Sequence, residues 1–331
     1  MLIFSSEAPL LNPGNQSEKR TVILDKILHY NLEKDLGEGR YGERYMAWDE
    51  GLDRIVLVEF VCASLALDED FRRRFRVDMD KLGKIEHENI AAFYALEETG
   101  GKFFIIREYI EGRTLKEILA EEALSYTLFL SYALQLVKAL GEAEEQMVVH
   151  RSVASQNIVI GGDKKLRLVN FGLAGGCDTG GHRETISPYE FYLAPEQTEN
   201  QPEDTYSDMF SLGVVFYEML TRRLPFRAGD REGLFRAIRE ETPDFDNEAA
   251  REMPPDGRLL IEKLMSKNPA ERFRDFQELR ATLETMQAYH FQRVDSPDYM
   301  AKHKNPRTYL MISILVALII IFWMVISTVY K

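Results

Sequence analysis

The residue types best suited to chemistry lie in two short stretches near the middle of the chain, 150–157 (HRSVASQN) and 170–172 (NFG). A polar loop followed by such a turn could place a proton acceptor and a metal ligand beside a substrate. Ser152, however, is an alcohol that stays un-ionised near neutral pH, so it cannot supply a positioned base, which is worth roughly 10²–10⁴ in rate. Asn170 offers a neutral amide oxygen, a weaker Mg²⁺ ligand than a carboxylate. Ser152 and Asn170 therefore supply neither an ionisable base nor a carboxylate metal ligand.

A glycine-rich turn is the second candidate site. Gly37, Gly39 and Gly42 have the spacing GxGxxG, which alone is weak evidence for a nucleotide site. The alternating segment 30–36 predicts a strand before the turn, and 43–48 predicts a short strand after it. A dinucleotide-binding fold would need a helix after the turn, so the pattern favours a hairpin that lies over nucleotide phosphates.

The elements that must position these stretches follow in a regular order. Strands are predicted at 54–61, 92–97 and 102–107, and helices at 68–85 and 125–144. Both helices are indicated by apolar residues that recur at helical spacing. The first part of the chain is thus rich in strands, and the part after residue 112 is helical.

Three later landmarks complete the order: Ala194-Pro195-Glu196, the segment 207–213 (SDMFSLG) and Arg272. Together with the stretches above, they resemble a bacterial-type, eukaryotic-like serine/threonine protein kinase domain over roughly residues 28–288. The resemblance implies an α+β, bilobal protein-kinase-like fold, with a small β-rich N-lobe and a larger helical C-lobe. It also implies an ion pair between Glu196 and Arg272.

The resemblance identifies what is missing. In the family a third-strand lysine pairs with a glutamate of the mobile helix, and the matching positions here are Glu59 and Asp78. Ser152 and Ala154 stand in place of the catalytic-loop aspartate and lysine, and Asn170 in place of the metal-binding aspartate. Two carboxylates cannot form the ion pair, and Glu59 would repel a triphosphate. We therefore expect no catalytic residues and a loss of phosphoryl transfer.

The three glycines keep a vestigial nucleotide site open as an alternative. Its expected residues are Gly37, Gly39, Gly42, Leu57, Glu108 and Asn157. Arg44 and Leu57 stand where the family has the valine and alanine that sandwich adenine, and overpacking by leucine costs about 1–3 kcal/mol. We expect no metal site and no required cofactor, with weak, metal-independent ATP binding as the open alternative.

Arg107 precedes the predicted hinge, at a position where kinases carry an apolar residue next to the third-strand lysine. We expect Arg107 to lie near Glu59 and Asp78 and to supply the missing positive charge. The alternative is that Arg107 points to solvent and Asp78 pairs with Arg74 one helical turn earlier.

An uncharged run, 310–329 (LMISILVALIIIFWMVISTV), lies near the C-terminus. A helix of this length covers about 30 Å, the thickness of a bilayer core, so the run predicts a transmembrane helix, with a buried core helix as the alternative. Basic residues at 302–307 precede it and place the N-terminal domain in the cytoplasm by the positive-inside rule. The predicted organisation is a flexible arm (1–20), a kinase-like domain (21–290; N-lobe about 21–107, hinge 108–112, C-lobe 113–290), a juxtamembrane linker (291–309) and the membrane helix (310–329).

The net charge and the cysteine content limit the classes of partner and of covalent cross-link. A net charge of −13 argues against nucleic acid, because a phosphate backbone needs a basic face. Two cysteines, Cys62 and Cys177, are far apart in sequence and are expected to be free thiols.

These observations predict a catalytically inactive, membrane-anchored pseudokinase that serves as a cytoplasmic interaction or regulatory scaffold for protein partners at the membrane face. The alternatives are a nucleotide-binding switch without transfer, a weak serine/threonine kinase or other kinase-fold transferase, and a passive membrane tether.

Overall fold

The computed structural model describes residues 26–39, 41–171, 186–199, 201 and 204–294. Within these ranges no helix is both long and apolar enough to cross a membrane. The predicted transmembrane helix at 310–329 lies outside the described residues and stays a prediction.

The small lobe is a six-stranded antiparallel sheet. Its strands are β1 (Lys26–Ile27), β2 (Tyr30–Glu38), β3 (Glu43–Asp49), β4 (Arg54–Val61), β5 (Phe93–Thr99) and β6 (Lys102–Glu108). Their order across the sheet is β1-β2-β3-β4-β6-β5. The five strands predicted from sequence pattern are confirmed, and the register places Arg44 opposite Glu59 and Leu57 opposite Arg107.

Two helices, α1 (Ala63–Ala66) and α2 (Glu69–Leu82), follow β4. The side chain of Asp68 caps α2 by accepting a hydrogen bond from the Phe71 backbone N–H at 2.9 Å. Phe71, Phe75, Met79 and Leu82 are buried, so the predicted apolar stripe is the face that packs on the sheet.

The large lobe begins at Gly112. It contains a three-stranded sheet, β7 (Gly112–Thr114), β8 (Ile158–Gly161) and β9 (Leu166–Leu168), and helices α3 (Leu115–Glu121), α4 (Tyr126–Glu145), α5 (Pro195–Thr198), α6 (Thr205–Thr221), α7 (Arg231–Glu240), α8 (Glu248–Arg251), α9 (Pro255–Leu264) and α10 (Phe276–Val294). Nearly the whole of α6 is buried, which makes it the centre of the lobe. The bilobal fold expected from the sequence is confirmed.

One continuous apolar core runs through both lobes. It joins Phe75 and Met79 of α2 and Ile105 of β6 to Leu136 of α4 and Phe171 after β9. A second, smaller core, which includes Val58 and Phe104, covers the other face of the small-lobe sheet. The cleft between the lobes therefore lies against the continuous core.

Candidate functional site

One carboxylate of α6 anchors the backbone of the loop 150–157. Asp208 accepts hydrogen bonds from the backbone N–H groups of His150 (2.7 Å) and Arg151 (2.8 Å). Arg151 has a positive φ of 64°, and the two hydrogen bonds fix the loop in this conformation. The loop backbone is therefore positioned as strictly as a reactive site would require.

The His150 ring has a defined structural task. Its Nδ1 accepts the Ser152 backbone N–H at 3.1 Å, so the ring carries its proton on Nε2, which donates to the Val169 carbonyl at 3.0 Å. The ring also contacts Phe171, with the two ring centroids 4.4 Å apart. His150 thus joins the loop to the chain that follows β9.

A hydrogen-bonded chain of five side chains crosses the cleft; we call it the cleft chain: Ser152, Asn157, Asn170, Arg107 and Glu59. Asn157 Nδ2 donates to the Ser152 carbonyl at 2.7 Å and lies 3.1 Å from the Ser152 hydroxyl. Asn170 Nδ2 donates to Asn157 Oδ1 at 2.7 Å, and Arg107 Nη1 donates to Asn170 Oδ1. Arg107 Nη2 donates to Glu59 Oε2 at 2.8 Å. The cleft chain therefore links Ser152 in the loop 150–157 to Glu59 on β4.

Both ends of the cleft chain fix the direction of its amides. The Ser152 carbonyl only accepts, so Asn157 must turn its NH₂ group towards it. The Arg107 guanidinium only donates, so Asn170 must turn its Oδ1 towards it. The remaining Asn170 NH₂ and Asn157 Oδ1 then face each other as donor and acceptor. A carboxylate at position 170 could not donate this central hydrogen bond.

The contact predicted between Arg107 and Glu59 is confirmed, and both residues are buried: Glu59 is 1% and Arg107 8% exposed. The part of the prediction that placed Asp78 in this cluster is wrong. Because both terminal nitrogens of Arg107 are engaged by Glu59 and Asn170, Asp78 pairs with Arg151 instead, at 2.5 Å. This ion pair ties α2 to the loop that carries Ser152.

The glycine turn lies directly on Glu59. Tyr41 donates its backbone N–H to Glu59 Oε1 at 3.1 Å, and a Cβ added to Gly39 would stand 2.3 Å from the same oxygen. Gly42 has a φ of 148°, and a Cβ there would stand 2.5 Å from the Phe60 carbonyl. The backbone of the turn therefore requires glycine at 42, whereas a side chain at 39 would displace the Glu59 carboxylate and the Arg44 stem.

The ring of Tyr41 is wholly buried under the turn. It packs against Phe71 and Phe75 of α2, with centroid separations of 6.4 and 6.2 Å. The glycine turn is thus anchored to α2 through an aromatic cluster and to β4 through Glu59.

Arg44, Leu57 and Glu108, which the sequence analysis assigned to the adenine and nucleotide positions, lie on β3, β4 and β6. Arg44 reaches back to the Leu36 carbonyl at 3.3 Å, and Leu57 lies opposite Arg107 in the register. The Glu108 carboxylate accepts the Ala92 backbone N–H at 3.1 Å. These residues adjoin the cleft chain, although their role in binding a nucleotide stays a prediction.

The residues of the cleft do not fit a magnesium–triphosphate. The two positions that would hold the metal, Asn157 and Asn170, use their Oδ1 atoms on each other and on Arg107. A guanidinium at Asn170 Oδ1 repels a divalent cation, and the Glu59 carboxylate faces the turn that would cover phosphates. No reaction step through the metal follows from this arrangement.

A second buried network joins Ser155 of the loop to α6 through Tyr192, and the sequence analysis missed it. The Tyr192 hydroxyl donates to Glu218 Oε2 at 2.6 Å and lies 2.8 Å from the Ser155 hydroxyl. Burial raises the pKa of Glu218 above its usual 4.5, and the hydrogen bonds of Tyr192 and Ser155, together with the charge of Lys116, offset this only in part. A single carboxylate inside the apolar run of α6 was the sequence signal that could have indicated this site.

Replacing Glu218 with glutamine is expected to raise the free energy of unfolding at about pH 7 by about 1–3 kcal/mol, because a poorly compensated buried charge is removed. The folded-state pKa of Glu218 is raised, so its stabilising contribution is present below about 4.5 and is lost as the pH rises through the folded-state value. Thermal unfolding of both proteins between about pH 4 and pH 7 should therefore show a difference in Tm that grows with pH. Glu284→Gln, in an exposed pair with Arg280, is the control, and a pH-independent difference for Glu218→Gln would contradict the assignment.

The ion pair predicted between Glu196 and Arg272 is confirmed. Arg272 makes two parallel hydrogen bonds to the Glu196 carboxylate, at 2.7 and 2.9 Å, and Ser207 donates a third at 3.0 Å. The side chain of Arg272 has no exposed surface. The ion pair joins α5 to the turn after α9.

The prediction that both cysteines are free thiols is wrong for Cys62, which is disulfide-bonded in the structure. Cys177 lies outside the described residues.

Comparison with known proteins places this geometry in context. The protein kinase domain family profile matches residues 30–283. A probable serine/threonine-protein kinase of Clostridium acetobutylicum is 27% identical over 84% of this chain and 44% of its own length. Serine/threonine-protein kinase PrkC of Bacillus subtilis is 30% identical over 77% of the chain and 40% of its own length, so this chain spans about two-fifths of these two relatives. PknL of Mycobacterium tuberculosis is 29% identical over 91% of the chain and 76% of its own length.

Solved structures agree at the level of the fold. The crystal structure of the PknI kinase domain from Mycobacterium tuberculosis superposes with a TM-score of 0.62 at 21% identity, covering 78% of this chain and 96% of that domain. The likeness extends over both lobes and leaves the chemistry of the cleft to be argued from this chain's own residues.

Proposed function

The chain belongs to the protein kinase domain family, and from this premise we propose that it is a non-catalytic member, a pseudokinase that acts as an interaction or regulatory module. The observation that carries the proposal is the cleft chain. Its side chains occupy the base, metal and phosphate-clamp positions, and they bond to one another.

The residue types that phosphoryl transfer requires are missing from three positions of the cleft. Transfer needs a cation on the phosphates, metal ions bridging them and a residue that orients the attacking hydroxyl. Glu59 has the wrong charge for the first, Asn170 is engaged by Arg107, and the Ser152 hydroxyl faces the Asn157 amide. These losses act at one centre, so restoring any single residue would leave the other parts missing.

The retained contacts support a binding role. The Glu196–Arg272 ion pair and the Asp208 anchor hold the large lobe and the loop in the form that the family uses. A chain that keeps these buried charges while lacking reactive groups preserves a shape, and a preserved shape serves recognition.

The proposed module is tethered to a membrane. The length of the uncharged run 310–329 supports a membrane span, and the basic residues at 302–307 support a cytoplasmic orientation of the folded part. The proposed partner is a protein at that membrane face. Basic residues next to the bilayer would also contact anionic lipid headgroups.

The full-length chain in detergent, given radiolabelled ATP and Mg²⁺, is expected to transfer no label to itself or to a general protein substrate. The kinase domain of a catalytically competent relative, assayed in parallel, is the positive control. Label transfer that is abolished by Ser152→Ala or Asn170→Ala would contradict the proposal, because it would show that these positions still carry the reaction.

A further inference from the structure

The Glu59 carboxylate lies under the glycine turn, where the phosphates of a nucleotide bind in the kinase fold. In a kinase fold the glycine turn covers the phosphates of the nucleotide. Here one carboxylate oxygen, Glu59 Oε1, lies under Gly39 and accepts the backbone N–H of Tyr41 at 3.1 Å. The turn therefore closes on an anion that belongs to the protein itself.

Carboxylate and phosphate oxygens can bind to such a turn in the same way. Both are anionic acceptors that bind backbone N–H groups through charge-assisted hydrogen bonds. The contact at Gly39 leaves no space for a side chain, so the turn and the carboxylate are matched in shape. Glu59 thus has the position, charge and hydrogen bond of a bound phosphate oxygen.

The positive charge beside this carboxylate comes from arginine. Arg107 donates Nη2 to Glu59 Oε2 at 2.8 Å, and the stem of Arg44 reaches the same side of Gly39 as the carboxylate. One guanidinium, that of Arg107, therefore pairs with the buried carboxylate, and the aliphatic stem of Arg44 packs beside it, so removal of the carboxylate would leave a buried cation without its anion. Such a pocket suits an anion without help from a metal ion.

Two of the guanidinium donors are still unused. Within the described part of the chain, Arg44 Nε and Arg107 Nε are buried and have no hydrogen-bond acceptor, and Arg107 is only 8% exposed. Buried donors without an acceptor are rare in folded proteins and indicate a missing partner. An anion with more oxygens than a carboxylate could satisfy them.

We propose that the anion site under the glycine turn is intact and is occupied by Glu59, and that removal of this carboxylate opens a metal-independent site for a pyrophosphate-class anion. Arg107 and the Tyr41 N–H would bind the anion in place of the lysine and magnesium of an active kinase. In the wild-type protein the same contacts hold the cleft closed without any ligand.

The test is a calorimetric titration of inorganic pyrophosphate into the full-length chain in EDTA. Glu59→Ala is expected to bind pyrophosphate at least about tenfold more tightly than the wild type, a difference of about 1.4 kcal/mol. Glu59→Ala/Arg107→Met should lose this gain. The matched control is Glu38→Ala, which removes an exposed carboxylate from the same hairpin and should leave binding at the wild-type level.

Two outcomes of the titration overturn the proposal: equal pyrophosphate binding by Glu59→Ala and wild type, or undiminished binding by the double variant. Hydrogen exchange of the wild-type protein tests the closed turn even if the variants fail to fold. The Tyr41 amide should exchange at least about tenfold more slowly than in Gly39→Ala, whose added Cβ would meet Glu59, and equal rates would also overturn the proposal. Neither result depends on phosphoryl transfer, so the non-catalytic function and this site can fail separately.

Discussion

Replacing Arg107 with methionine is expected to lower the free energy of unfolding by about 3–5 kcal/mol, the usual cost of removing one partner from a buried ion pair. Glu59, 1% exposed, would keep the Tyr41 N–H but lose its cation, and Asn170 Oδ1 would lose its donor. For a domain of this size each kcal/mol corresponds to about 2–4 °C in Tm. Thermal and chemical unfolding of the full-length chain would measure the loss.

The controls for Arg107→Met separate the buried charge from the loss of an arginine as such. Arg76→Met, on the exposed face of α2 with a side chain 58% exposed, should change stability by less than about 0.5 kcal/mol. Glu59→Met/Arg107→Met should recover most of the loss, since apolar replacement of both partners is often neutral or stabilising. An Arg107→Met protein as stable as the wild type would show that the pair contributes nothing.

Arg272→Met should destabilise the large lobe by a similar amount, about 3–5 kcal/mol. The Glu196 carboxylate would lose two hydrogen bonds from a fully buried guanidinium and retain the one from Ser207. Arg272 also donates to the backbone carbonyls of Ser266 and Tyr206, which would be left without this donor. Urea unfolding followed by circular dichroism would give the change in free energy directly.

Arg280→Met serves as the comparison for Arg272→Met. Arg280 forms an i,i+4 pair with Glu284 on the surface of α10, and such pairs contribute about 0.3–0.5 kcal/mol. The interpretation of the Glu196–Arg272 ion pair as a structural tie would be refuted by equal effects of the two substitutions.

The fold was predictable because its strands and its first long helix each have a strong local period. The strand predicted at 54–61 matches β4, and the helix predicted at 68–85 contains α2. The predicted C-terminal end of α2 at residue 85 is wrong, because Ile85 is buried although the helix ends at Leu82. Apolar periodicity reports which residues are buried, and an element can end before its last buried residue.

The site was predictable where two residues share a fixed register. Glu59 and Arg107 lie on neighbouring strands, β4 and β6, so their proximity follows from the sheet. Asp78 and Arg151 come from different lobes, and their contact depends on how the lobes close, which no local pattern records. The sequence therefore indicated the contact between Glu59 and Arg107 but placed Asp78 beside the wrong arginine.

The amide links of the cleft chain could not be predicted from residue types alone. The sequence analysis assigned Asn157 to the vestigial nucleotide site and Asn170 to the position of a metal-binding aspartate, and only their geometry shows that they bond to each other. The network of Tyr192, Glu218 and Ser155 was missed for a related reason. Its members lie far apart in sequence and meet only in the folded chain.

Because one continuous core runs through both lobes, a partner would bind lobes that are already packed together. Phe75 of α2 belongs to the same apolar body as Leu136 of α4, so opening the lobes would expose surface that is now dry. A partner that touches both lobes would then find its surface already formed and would lose little free energy to ordering it. Association should accordingly follow rigid-body kinetics, with affinity differences between partner variants appearing mainly in the rate of dissociation.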